Sequence, residues 1–192
     1  VRFEAVGKGR LGTVLVKSDE SGQVPIVRTT TRYSTPAQSF RPVHEQLAQQ
    51  IQTAASLAVG FNNALIESYS NAYTTMGSHS DQALDLAEGS FVAVFSCYQH
   101  PERVSPPRKL IIESKEPGGG TFDVSLNHNS VIIFSVCINK IFKHKIVLNA
   151  SKKTPENQWL GITFRTSKTF VRFRDEHAYF LDDTRLTLAD EE

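Results

Sequence analysis

One long helical pattern is followed by a run of short strand-like segments, and this imbalance constrains the fold more than any other feature of the chain. The helical pattern opens with Pro42, which suits a first turn. Val43, Leu47, Ile51, Ala54, Ala55 and Ala58 then recur at three- and four-residue steps, and Gly60 is the expected C-cap. Ahead of it, the first forty residues are extended and broken by Gly and Pro, with strands expected over 13–17 and 25–33. After it, strands are expected over 61–69, 91–98, 109–113, 131–138, 140–148, 159–165 and 168–174. Residues 116–120, Glu-Pro-Gly-Gly-Gly, lack the Lys-Ser/Thr of a phosphate-binding loop and read as a hairpin tip. Residues 149–157 read as a polar loop. A helix on one side of many antiparallel strands predicts a mostly β fold with a flanking helix, on a jelly-roll or double-stranded β-helix core.

At 192 residues the chain suits one domain with a core large enough to need no disulfide or structural metal. A hydrophobic content of 40% excludes a disordered chain. The formal net charge of +1 provides no overall attraction to nucleic acid and leaves only local basic patches. Cys97 and Cys137 sit in apolar β-like runs and are expected as buried free thiols; with no C-x-x-C pair, a thiolate zinc site is not expected. No apolar run approaches the ~18 residues of a membrane span, and no signal peptide is visible. The expectation is an intracellular protein, nuclear or cytoplasmic, with no membrane contact, present as a monomer. The chain opens at Val1 and not Met, so its natural start is expected to lie upstream.

The chemistry begins at Ser78-His79-Ser80-Asp81. In an extended chain, residues i and i+2 share a face, so His79 and Asp81 can offer an imidazole nitrogen and a carboxylate oxygen to one cation. A third ligand must come from elsewhere. In residues 140–148, Phe142, His144, Ile146 and Leu148 alternate with Lys143 and Lys145, which makes His144 the polar member of an inward apolar row. Alone, His144 reads more simply as a core histidine; beside H-x-D it becomes the candidate third ligand. Two His and one carboxylate with open positions are the ligand set of non-haem Fe(II) oxygenases. His44, in the first turn of the helix, is expected to be solvated. His100, His128 and His177 flank turns or acidic pairs and are not expected as ligands.

Phe61-Asn62, Tyr69 and His79-Ser80-Asp81, taken in order, resemble the stretch that leads into the iron motif of AlkB-like Fe(II)/2-oxoglutarate-dependent dioxygenases. The resemblance covers roughly residues 24–170. It implies Fe(II) held by His79, Asp81 and His144, with 2-oxoglutarate as cosubstrate. It makes Tyr69 the tyrosine that contacts 2-oxoglutarate, with Glu67 where the family has asparagine. A second register makes Asn71 and Tyr73 the N-x-Y pair and requires a shortened loop. Downstream, Trp159–Arg165 is similar to the family's final R-x-N-x-T-x-R strand: Thr163-Phe164-Arg165 matches its end, while Trp159 and Gly161 replace its first arginine and its asparagine. Arg165 is then the candidate partner for a cosubstrate carboxylate. The other carboxylate is left without its usual partner, for which Arg172 or a lysine is a possible substitute.

On the family pattern the chain is one dioxygenase domain over 1–192. Residues 1–40 form an extended N-terminal and lid region, and 61–174 the iron-binding β core. The family acts on N-alkylated bases, often flipped from their stack, so demethylation of such a base in single-stranded nucleic acid is the first expectation. Arg28, Arg32 and Tyr33 lie where the lid would hold phosphate and base. Lys140, Lys143, Lys145 and the pair 152–153 are further basic candidates. Gln82-Ala83, however, stand where many relatives carry acidic base readers. The alternatives are an oxygenase acting on a small molecule or peptide, and a binding module that has lost catalysis.

Overall fold

The computed structural model describes residues 1–29, 31–104, 106–151 and 153–187. Lys152, one of the basic candidates, lies outside them. Six strands form the main path of a large sheet in the order β1 (Glu4–Gly7), β2 (Arg10–Val16), β5 (Asn63–Tyr69), β11 (Trp159–Arg165), β6 (Phe91–Tyr98), β9 (Ser130–Ser135). β4 (Gln38–Ser39) joins β2 alongside. A smaller sheet has the order β10 (Phe142–Val147), β7 (Arg108–Ser114), β8 (Thr121–Leu126). A third contains β13 (His177–Phe180), β12 (Phe170–Arg174) and β3 (Val24–Pro25). The fold is mostly β with a jelly-roll core, as the strand pattern predicts.

Strand alternation decides what each face of the large sheet does. Ala64, Ile66, Ala93, Ile162 and Phe164 point to one face and bury Ala48 and Ile51 of α1 (Pro42–Ala54). Each buried Ile or Phe there stabilises the fold by about 1.5–3 kcal/mol. Leu65, Glu67, Val94, Thr163 and Arg165 point to the other face and line a cavity. The small sheet closes over that face, with Leu110, Leu126 and Ile146 packing on Tyr69, Tyr98 and Trp159. Among the described residues no helix is long and apolar enough to cross a membrane.

Several local expectations change. The run 131–141 does not continue as strand. Ser135 accepts a hydrogen bond from the Ile138 amide, and α2 (Val136–Ile141) begins there; the local cap overrides β-branched composition. Cys137 is therefore exposed on a helix and not buried in a strand; both cysteines are free. Among the described residues of the expected 25–33 strand only Pro25 is regular, at the end of β3. α1 stops at Ala54, where Ser56 takes a φ of 52°, so Gly60 is not its C-cap. The Gly60 carbonyl instead accepts from Thr166 Oγ1. His44 is buried and accepts the Arg41 amide at Nδ1, where solvation was expected. β8 and β13 carried no sufficient strand pattern and were not anticipated.

Candidate metal centre

Residues 74–81 run along the free edge of β10. Met76 N–H donates to Ile146 O and Leu148 N–H to Thr74 O. His79 and His144 form a hydrogen-bonded antiparallel pair in which each amide donates to the other's carbonyl, at 3.0 and 2.6 Å. Directly opposed residues in such a pair project from the same face. Two imidazoles separated by more than sixty residues of sequence thus come together, with ring centroids 4.6 Å apart. Asp81 follows on the same face.

The donor atoms of His79, Asp81 and His144 all lie within 4.8 Å of one another. Asp81 Oδ1 is 3.9 Å from Nε2 of each histidine, a spacing one cation can bridge with bonds of about 2.1 Å. The other oxygen, Oδ2, accepts Nε–H of Arg165 at 2.8 Å, so the guanidinium fixes which oxygen faces the imidazoles. Burial of Asp81 favours its neutral form, but the charge and hydrogen bond of Arg165 outweigh that and hold its pKa below the usual carboxylate range. Burial pushes His144 down to about 4, so it is neutral and able to ligate at pH 7. His79 Nδ1 lies 2.9 Å from Gly77 O. A carbonyl only accepts, so Nδ1 carries the proton and Nε2 presents its lone pair. Two imidazoles and one carboxylate fit a divalent metal such as Fe(II).

Asn139, on α2, was not anticipated. Its Oδ1 accepts the Asp81 amide at 2.9 Å and its Nδ2 donates to the Asp81 carbonyl at 2.8 Å. A side-chain amide thereby extends the edge ladder by one step and fixes the backbone of a candidate ligand. The residue lies between two runs read as strands, 131–138 and 140–148, so no signal marked it.

The triad opens onto a cavity of about 320 Å³, whose walls include Arg10, Glu67, Tyr73, Thr163 and Arg165. Thr163 and Arg165 therefore reach the expected space, although Arg165 is also paired with Asp81. The two tyrosine registers separate here. Tyr69 is fully buried behind the wall, is not among the lining residues, and donates its hydroxyl to the wall residue Glu67 at 2.7 Å. Tyr73 is on the wall, as the shortened-loop register expects. The physical reason is a turn: Tyr73 N–H returns to Ser70 O, and buried Arg108 donates to both carbonyls, at 2.7 Å to Tyr73 and 2.8 Å to Ser70. Asn71 points elsewhere, with its side chain donating to Pro155 O and its amide to Glu156.

The lid residues are also redistributed. Thr29 and Thr31 line the cavity, whereas Arg28, Arg32 and Tyr33 are not among its lining residues. Arg28 is held by Asp85 through its backbone amide, Nε and a terminal nitrogen. Arg32 is exposed, and the Tyr33 hydroxyl is buried over Gly12. Arg172 pairs at the surface with Leu181 O and Asp183, so it does not replace the missing arginine. His100, His128 and His177 have partners away from the triad.

No curated protein matches this chain. A family model described as the 2OG-Fe(II) oxygenase superfamily matches residues 13–165, a span that includes all of His79, Asp81 and His144. The chain belongs to the 2OG-Fe(II) oxygenase superfamily and is a non-haem iron, 2-oxoglutarate-dependent dioxygenase.

Proposed function

We propose that His79, Asp81 and His144 hold the Fe(II) and that the chain is an AlkB-like member of the superfamily which demethylates an N-alkylated base in single-stranded nucleic acid. The observation that carries the metal assignment is the meeting of three suitable donor atoms within 4.8 Å. With 2-oxoglutarate and O₂ bound, the centre supplies hydroxylation of a C–H bond coupled to formation of succinate and CO₂, and a hydroxylated N-methyl group then leaves as formaldehyde. The protein's own part is to keep the buried His144 imidazole neutral, aim Asp81 Oδ1 through Arg165, and orient the substrate C–H in the cavity.

Support for the AlkB-like assignment is the order of Tyr73, His79-x-Asp81, His144 and Thr163-x-Arg165, all of them on the cavity wall. A single strand avoids the cost of unpairing a duplex, for which the near-neutral chain has little electrostatic binding energy. A second reading, a small molecule or peptide as substrate, is favoured by one specific observation: Asp85 already engages Arg28, which lowers its availability to a phosphate.

The test compares methylated single-stranded oligonucleotides with a panel of small metabolites and peptides, scoring succinate and formaldehyde. Succinate with formaldehyde from a methylated oligonucleotide is the expected result. Succinate with metabolites or peptides, and only background with every oligonucleotide, transfers the function to the second reading.

A further inference from the structure

The far end of the cavity lacks the arginine that the final strand of this family would contribute, and the structure contains the reason. Trp159 is 1% exposed, donates its indole N–H to Ser96 Oγ at 2.7 Å, and stacks on Tyr69 at 4.8 Å. Its ring also lies over Gly161, where a Cβ would collide with the indole. The two departures from the R-x-N pattern are therefore coupled: an indole lying over position 161 needs a glycine there. No cation from β11 reaches this end of the cavity.

A cation arrives from another strand. β2 pairs with β5 in a register that sets Arg10 opposite Tyr69 and Gly12 opposite Glu67, on the same sheet face as Gly161 and Thr163. Arg10 lines the cavity, lies 5.7 Å over the Tyr73 ring, and donates Nε–H to Glu67 Oε1 at 2.7 Å. Arg165 sits opposite Asn63, six positions further along β5. At about 3.3 Å per residue the two backbones are ~20 Å apart, and their long side chains approach one cavity from different ends.

We propose that Arg10 is the residue that binds the distal carboxylate of 2-oxoglutarate, in place of the arginine that Trp159 has displaced. The assignment rests on the cosubstrate named above. Charge supports it. Arg10 balances Glu67 and Arg165 balances Asp81, so Fe(II) leaves the cavity with two positive charges, which the dianion 2-oxoglutarate neutralises. A guanidinium carries five N–H donors in a rigid fork, enough to serve Glu67 and a ligand carboxylate together. Arg10 lies just before residue 13, where the family match begins.

The test measures binding and not turnover. Removing Arg10 alone would strand the buried Glu67 carboxylate, so the comparison is Glu67→Gln against Arg10→Met/Glu67→Gln, both loaded with Mn(II) and titrated calorimetrically. Two ligands are used: 2-oxoglutarate, and 2-oxopentanoate, which has the same chain and keto acid but a methyl at the far end. Loss of Arg10 should weaken 2-oxoglutarate about ten- to a hundredfold and leave 2-oxopentanoate unchanged. Unchanged 2-oxoglutarate affinity, or an equal loss for both ligands, overturns the assignment. Wild-type protein that takes up Mn(II) yet binds neither acid removes the cosubstrate itself from this cavity, and the anchor with it.

Discussion

The two ends of the cavity are built by different means. At the metal end, His79 and Asp81 share a strand face by two-residue alternation, and His144 faces them across a backbone hydrogen-bonded pair. Every group there is fixed by a backbone ladder or by a charged partner. At the far end, β11 contributes the Trp159 indole and Gly161, which differ from the Arg and Asn of the AlkB-like pattern, and β2 and β5 bring Arg10 and Glu67 to the cavity wall. Backbone geometry constrains the first end because a metal tolerates little displacement of its ligands. The second end needs only a positive charge within reach, and that requirement can be met from several strands.

Arg165→Ala should have the largest effect on the comparison. It leaves the Asp81 carboxylate buried without its guanidinium partner, which should cost the metal-free protein about 3–5 kcal/mol. A bound dication replaces the lost charge, so adding Mn(II) should raise the melting temperature of this variant more than that of the wild type. Equal shifts would mean that Arg165 and the metal do not act on the same carboxylate.

Gly161→Asn, which restores the family side chain at the far end, should also destabilise, because the new Cβ meets the Trp159 indole. Overpacking of this kind costs about 1–3 kcal/mol, and denaturant unfolding measures it. Trp159→Arg in the same chain should recover part of the loss. A neutral Gly161→Asn would show that the Trp–Gly exchange is not coupled.

Asn139→Ala removes both side-chain bonds to the Asp81 backbone while leaving all three donor groups in place. Loss of a partner that orients a ligand typically lowers metal affinity 10–100-fold. Calorimetric Mn(II) titration should show that loss with 2-oxoglutarate affinity, measured at saturating metal, much less affected. An unchanged metal affinity would confine Asn139 to a packing role.

The same contrast explains what could be read from the sequence. H-x-D and the inward row of His144 follow from period-two alternation, and α1 from apolar spacing, because each is a local pattern. Asn139 escaped because the run from Val131 to Ile141 is rich in β-branched residues, and only the hydroxyl cap of Ser135 turns it into a helix. Tyr69 and Tyr73 were separable only by a turn that Arg108 clamps from a distant strand. Arg10 carried no local signal: its position depends on the β2–β5 register, in which it pairs with Tyr69, 59 positions away in sequence. Arg28 was legible as a cation, but its bond to Asp85 depends on tertiary placement.

If His79, Asp81 and His144 form one metal site, metal stoichiometry must depend on all three. Wild type and His144→Ala are equilibrated with Mn(II), or anaerobically with Fe(II), separated from free metal and assayed for metal content, with circular dichroism confirming that both are folded. The account predicts about one metal per wild-type chain and near-background metal in the variant, since a histidine and a carboxylate alone are too few protein ligands for tight binding. Equal metal content in the two folded proteins would contradict it.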